Sequence, residues 1–388
     1  MRARTPSLAA SMLAPEGAWL RKLVLLALVV FTFPACEGAN IPLTRDYRDE
    51  EEDEATRAEY YEDSAITYLD GGRYRESIEM WNKTLELRPG NNMAKWGLAR
   101  AHMGTGSLSN LKEAVEIFRE IQNVNWVHPE RGDERFAVLR DYAHTHSEIA
   151  EHYDRDARRG KAMLESDPNA DVGLFESRIY QQEQKRNTHL DQAIPIYRQV
   201  LELKEDDGRT IAGLAKAHLA RGNDDMGLMW ANRYIQLSKD SQEFWRTKGA
   251  EYEQAAGRNV TRKQRDFFLD KLKGSKDKEA KMHLMVGAVY MRRQQYDLAS
   301  RAYTRVIQMD SRNPAPYAER AQAYASLGQY QSAVTDLEHY LKITDPVTHR
   351  EGRINAGQLL DRYQRMLGGP GILGPGARPG GGGSGFGR

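Results

Sequence analysis

The sequence predicts an all-α chain folded as a solenoid of stacked helix–turn–helix units, and three observations carry that prediction. A 34-residue spacing returns along the chain: Gly287 and Tyr290 recur as Ala321 and Tyr324. Behind them Tyr296, Ala299, Tyr303 and Val306 recur as Tyr330, Ala333, Leu337 and Tyr340. Within each unit these residues fall at helical spacing, the small ones letting two helices approach and the aromatics filling the gap between hairpins. Turn and stop residues then punctuate the pattern, with Gly72, Gly222 and Gly328 at turns and Pro89 and Pro346 at ends.

The first element is an address. Arg21 and Lys22 precede Leu23–Phe33, eleven uncharged residues that are apolar except for Thr32, and Pro34-Ala35-Cys36 follows at once. A basic segment, a short apolar run and a small residue before the cut predict a secretory signal peptide over 1–35. The run is too short to cross a bilayer, which takes about 20 apolar residues. Arg2 to Gly17 lengthens the basic segment, and a start at Met12 would leave a more ordinary signal. Cys36 is the sole cysteine of the 388 residues, so the chain forms no internal disulfide. Phe33-Pro34-Ala35-Cys36 resembles the lipobox of bacterial lipoproteins, although Phe33 and Pro34 depart from its usual residues. The resemblance implies a diacylglyceryl group on Cys36 that tethers the chain to a membrane facing the periplasm. Glu37 stands where an Asp retains some lipoproteins at the inner membrane, which favours the outer one.

Net charge is +1 over the whole sequence and near −2 once residues 1–35 are set aside. That balance argues against nucleic-acid binding, which leaves a basic excess. Residues 36–56 hold Asp46, Asp49 and the run Glu50-Glu51-Glu52-Asp53-Glu54, which predicts a solvated acidic linker.

Two units fill 57–130. The first has Ala65 and Tyr68, a turn at Gly72, then Ser77, Trp81 and Thr84; the second starts in register at Ala99 and His102. It is read as gaining three residues across Gly104–Asn110 before Ala114 and Phe118 resume the pattern. Residues 131–173 fit poorly and are read as a long or irregular helix pair. Over 174–347 the register returns: Ala193, Tyr197 and Val200, with Gln181 and Gln184 inward; Ala215, His218 and Tyr234; then a unit with extra residues holding Trp245, Gly249, Tyr252, Phe267 and Phe268. Two clean units, 280–313 and 314–347, close the array, for seven or eight in all. Residues 348–367 read as a capping helix with Ile354, Leu359, Leu360, Tyr363 and Leu367 on its apolar side. The tail 368–388, with eleven glycines and three prolines, predicts disorder.

This register resembles the tetratricopeptide repeat over roughly 57–347. The resemblance implies a right-handed α-solenoid and a groove, lined by the first helices, that holds protein partners or peptide segments. In that register the groove candidates are Arg178, Gln182, Lys185, Arg209, Lys216, Arg246, Lys281 and Arg292. Glu59, Glu62 and Asp70 hold comparable places near the N-terminal end, and Trp96, Met103, Leu219 and Met291 lie between. A basic stretch of this kind suits an acidic or C-terminal carboxylate peptide. Arg178 and Arg209 overlap two places of the carboxylate clamp found in some members, whereas Gly213, Glu243 and Thr247 do not match it.

Enzymatic chemistry has one candidate. His144, Glu148 and His152 lie four apart and share a helix face, a spacing that could hold zinc, but not in the His-Glu-x-x-His order of metalloproteases. The expectation is therefore a scaffold without cofactor or catalysis, serving an envelope assembly of the pilus–secretin or outer-membrane type. An adaptor recruiting cell-wall-remodelling enzymes is the second reading, and a hydrolase built on His144, Glu148 and His152 the third.

Overall fold

The computed structural model describes residues 47–368, apart from 125, 129–131, 168–169 and 257–260. The segment read as a signal peptide, Cys36, the start of the segment read as an acidic linker and nearly all of the Gly-rich tail lie outside the described residues. The chain divides at Glu54/Ala55, and the unit that begins at Ala55 holds the array.

Thirteen helices occur among the described residues. They are α1 (Tyr47–Asp70), α2 (Tyr74–Leu87), α3 (Asn92–Thr105), α4 (Leu108–Ile121), α5 (Arg135–Ser166), α6 (Val172–Leu203) and α7 (Gly208–Arg221), continuing with α8 (Asp224–Ala256), α9 (Arg262–Arg292), α10 (Tyr296–Met309), α11 (Ala315–Ser326), α12 (Tyr330–Ile343) and α13 (Arg350–Gly368). Between α4 and α5 a two-residue antiparallel bridge pairs β1 (Val127–His128) with β2 (Gly132–Asp133). The fold is an α-solenoid: each helix packs mainly on its sequence neighbours. Paired as hairpins, the first twelve helices make six units, fewer than the sequence predicts, and α13 packs on α12 at the end.

The turns follow local chemistry. Gly72, Gly106, Gly222 and Gly328 all adopt positive φ at hairpin turns, a conformation without penalty for glycine. Gly106 lies 34 residues after Gly72, and α4 begins 34 after α2, so the second unit gains no residues; Leu111, Val115 and Phe118, all buried, continue the register of Ser77, Trp81 and Thr84. The α9–α10 turn puts Gln294 at φ 59°, the sole non-glycine with positive φ among the described residues. Helix starts are capped by Asn91, Ser107, Asp171 and Asp207, whose side chains accept backbone N–H groups, and by a Thr261/Gln264 capping box.

The middle of the array departs from the regular repeat. Residues 135–166 form one helix of 32 residues, not a pair, and the first and second helices read into 174–207 are a single helix, also of 32 residues. Likewise α8 (33 residues) and α9 (31) run through the segment read as a separate unit around Trp245–Leu272. The cause is local: no proline occurs between Pro195 and Pro314, and Gly249 is helical and faces Phe268, so nothing breaks either helix where the period calls for a turn. The acidic run also departs from the linker reading, because α1 begins at Tyr47 and takes in Glu50–Glu54.

Hydrophobic seams run between successive helices. One gathers Leu111, Phe118, Val138, Tyr142 and Ile149; the next gathers Ala143, Leu190, Ala193, Tyr197 and Leu214. Each fully buried large side chain of this kind contributes roughly 1.5–3 kcal/mol relative to exposure. At the end, α13 packs through Ala356, Leu359, Leu360 and Tyr363, whereas Ile354 and Leu367, read as apolar-side residues, are exposed.

Candidate functional site

The predicted groove residues separate into three groups. Arg209 and Lys216 lie one heptad apart on α7, both exposed and without a carboxylate partner, and Lys281 on α9 is likewise exposed. Between the α7 cations the same face carries Ala212 and Gly213, and the Lys281 face continues through Ala288 to Arg292. Ala212 packs on a hydrophobic seam and Gly213 lies against the Tyr197 ring, so what this face offers a partner is the guanidinium and ammonium groups as charge-assisted donors.

A second group is already engaged. Arg246 pairs with Glu243 at 2.6 Å on the C-terminal half of α8. Arg292 pairs with Asp224, and Arg293 reaches Asp224 at 3.2 Å and Asp225 at 2.8 Å, so these arginines tie the end of α9 to the start of α8. The third group sits on α6. Arg178 is exposed, Lys185 places its Nζ 5.7 Å from the Tyr153 ring centroid, and Gln182 is half-buried with Oε1 lacking a hydrogen-bond partner. Gln181 and Gln184, placed inward by the sequence reading, are exposed; Ile179 and Leu190 face the core instead. Because α6 is continuous, its N-terminal half is not the first helix of a hairpin, and Arg178 and Lys185 do not share a helix with Arg209 and Lys216.

The apolar residues assigned to the groove belong to the core. Leu219 is buried, Met103 and Met291 pack against hydrophobic seams, and the Trp96 indole N–H donates to Asp141 at 3.1 Å.

His144, Glu148 and His152 share one face of α5 but do not converge on a point. His144 Nε2 lies 3.2 Å from Glu148 Oε1, while His152 Nε2 lies 2.9 Å from the Gly106 carbonyl oxygen, across on the α3–α4 turn. His152 therefore acts as a clasp between units, donating its N–H to that carbonyl. No group of three or more His, Cys, Asp or Glu residues placed to hold a metal occurs among the described residues.

The sequence reading missed the histidine pair beside this triplet. His146 on α5 and His189 on α6 face each other with their Nδ1 atoms 2.9 Å apart, one donating and one accepting. Tyr142 and Tyr153 enclose them, and burial, then the neighbouring His189 and Arg119, pushes His146 down to about 3. Burial also lowers His189, with Lys112 adding to the effect. His146 is offset by two from the conspicuous triplet, and a position facing a second helix is invisible in one helix's periodicity.

Two segments, 63–124 and 286–361, match tetratricopeptide-repeat family models. The chain carries tetratricopeptide repeats. Both matched segments fall on regular hairpins, and the long-helix middle lies between them. Solved structures align with this chain at low identity. A tetratricopeptide repeat protein from Parabacteroides merdae is 13% identical, with 80% of this chain and 99% of that chain covered and a TM-score of 0.32. The MamA protein is 12% identical, over 76% and 96%, with a TM-score of 0.31. The RpL4 assembly chaperone Acl4 is 11% identical, over 80% and 96%, with a TM-score of 0.35. No curated protein matches the sequence. Repeats of this kind are protein-interaction scaffolds, and the face of α7 with its free cations is the candidate binding surface of this one.

Proposed function

We propose that this chain is a lipid-anchored scaffold of a bacterial cell envelope that holds protein partners during assembly of an envelope complex, of the pilus–secretin or outer-membrane type, without catalysing a reaction. The observation that carries the binding half is the pair Arg209 and Lys216, exposed and unpaired on α7. A solvated helix face normally offsets its charges with i,i+4 partners, as Lys83–Glu79 does on α2. The α7 pair has no such offset, which leaves its charge for an acidic or carboxylate-ended segment. The anchoring half is supported by the sequence: an eleven-residue apolar run ends just before the sole cysteine. Two acyl chains suffice for stable membrane attachment.

Both halves are testable separately. A palmitate analogue fed to cells should label the wild-type chain and spare Cys36→Ser; equal labelling would remove the anchor. Crosslinked capture from envelope fractions should recover a partner with wild type and lose it with Arg209→Glu/Lys216→Glu. Unchanged recovery would reduce the α7 face to ordinary solvation.

A further inference from the structure

The C-terminal half of α8 and the N-terminal half of α9 form a hairpin with an uncovered aromatic ridge. No described residue between Ser238 and Glu279 is buried, yet the segment holds five aromatic side chains. Trp245 meets Phe244 at 5.1 Å and Phe267 at 6.0 Å between ring centroids, Phe267 meets Phe268 at 5.4 Å, and Tyr252 meets Phe268 at 5.6 Å. Phe267 is 50% exposed and Leu269 54%. Two helices cannot cover both sides of such a ridge, and its open side is an apolar face that a third helix can cover.

The charge around the ridge specifies that helix. Lys263, Lys271, Lys273, Lys276 and Lys278 line α9 with no carboxylate partner; Arg262 and Arg265 occupy Asp266 and Glu253, and Asp270 and Asp277 are too few to offset the lysines, so the face keeps a net positive charge. Lys271 Nζ rests 5.3 Å from the Phe267 centroid and 6.0 Å from that of Trp245, which puts free positive charge on the rim of the ridge. The matching occupant is an acidic helix with apolar anchors. The chain displays one: on α1, Tyr60, Asp63, Ile66 and Asp70 are all exposed at spacings of three and four, so they form one acidic and apolar stripe.

We propose that copies of this chain associate head to tail, the Tyr60–Asp70 stripe of α1 in one copy lying along the aromatic and lysine face of the α8/α9 hairpin in the next. The contact joins two different surfaces, so each added copy presents a fresh stripe and a fresh ridge, and the assembly grows with concentration. Its charges sit at the rim, so added salt weakens it.

The test is a charge swap in the full chain, with two differently tagged copies co-purified in non-ionic detergent at low salt. Wild-type copies should co-purify, and at least tenfold less at high salt. Lys271→Glu/Lys273→Glu alone, or Asp63→Lys/Asp70→Lys alone, should reduce self-capture at least tenfold. A mixture of the two variants should restore it, because each hairpin then faces a stripe of opposite charge; restoration also shows that both variants are folded. Wild-type copies that fail to co-purify, variants that still self-capture, or a mixture that stays apart would each overturn the proposal. So would loss from the hairpin variant of an acidic protein of another kind with self-capture unchanged.

Discussion

A Cβ placed on Gly213 would lie 2.5 Å from Cζ of Tyr197, sixteen residues earlier, and Gly97 stands in the same relation to Trp81, also sixteen residues earlier. At each junction a ring from the preceding second helix fills the space that a glycine on the following first helix leaves open. Tyr197 is fully buried, and its hydroxyl lies 3.2 Å from Ser147 Oγ, so the ring has little freedom to withdraw. Gly213→Ala should therefore lower stability by about 1–2 kcal/mol, overpacking outweighing the gain in helix propensity. Gly357→Ala in α13, where nothing lies within 4 Å of the new atom, should raise it by about 1 kcal/mol. Thermal melts of the two variants should move in opposite directions.

Arg320 on α11 is held bidentate by Asp336 on α12, at 2.8 and 2.7 Å, and donates to Thr304 on α10 at 2.9 Å. One guanidinium thus joins three successive helices, and both ionic partners are largely removed from water. Burial opposes the charge on Arg320, but Asp336 overrides it and raises the arginine above its ordinary value. Asp336→Ala leaves that charge buried and unpaired and should cost about 3–5 kcal/mol in denaturant unfolding, well above the effect of cutting the exposed Arg246–Glu243 pair.

The α5/α6 pair should loosen in acid. His146 is held near 3 when folded, against about 6.5 when unfolded, so between those values the unfolded chain binds a proton that the folded chain refuses. Stability is full above the unfolded value and falls as pH drops, by about 2 kcal/mol at pH 5 from His146 alone. His189 adds in the same direction. Melts at pH 7.5 and 5 should show this loss in wild type and a flatter profile in His146→Gln.

At the α9–α10 turn, Gln294 occupies the place that glycine holds at the other tight turns, 34 residues before Gly328. A side chain in this left-handed conformation costs about 1–2 kcal/mol. Gln294→Gly should therefore stabilise the chain by about 0.5–1 kcal/mol after the entropy gained by the unfolded state, read as a rise in melting temperature.

The regular ends of the array were legible in the sequence because each position answers to its own hairpin. Ala299, Tyr303, Ala333 and Leu337 are all buried where the 34-residue register places them. The middle was not legible, because a continued helix and a helix–turn–helix differ only at the turn. Gly249 looked like a register residue, yet no positive φ or proline breaks α8 there. The candidate site was partly legible for a related reason. Lys216 and Arg209, read as outward-facing, are exposed on α7, while the pairing of Arg292 with Asp224 and the meeting of His146 with His189 depend on residues 68 and 43 positions away.

Under the proposed function, the exposed face of α7, rather than the second-helix faces, receives a protein partner. A photo-crosslinking residue placed at Lys216, and in a separate chain at Gln308 on α10, tests it in cells. A discrete adduct from position 216 and none from 308 is the predicted result. Adducts from 308 alone, or equally from both, would contradict it.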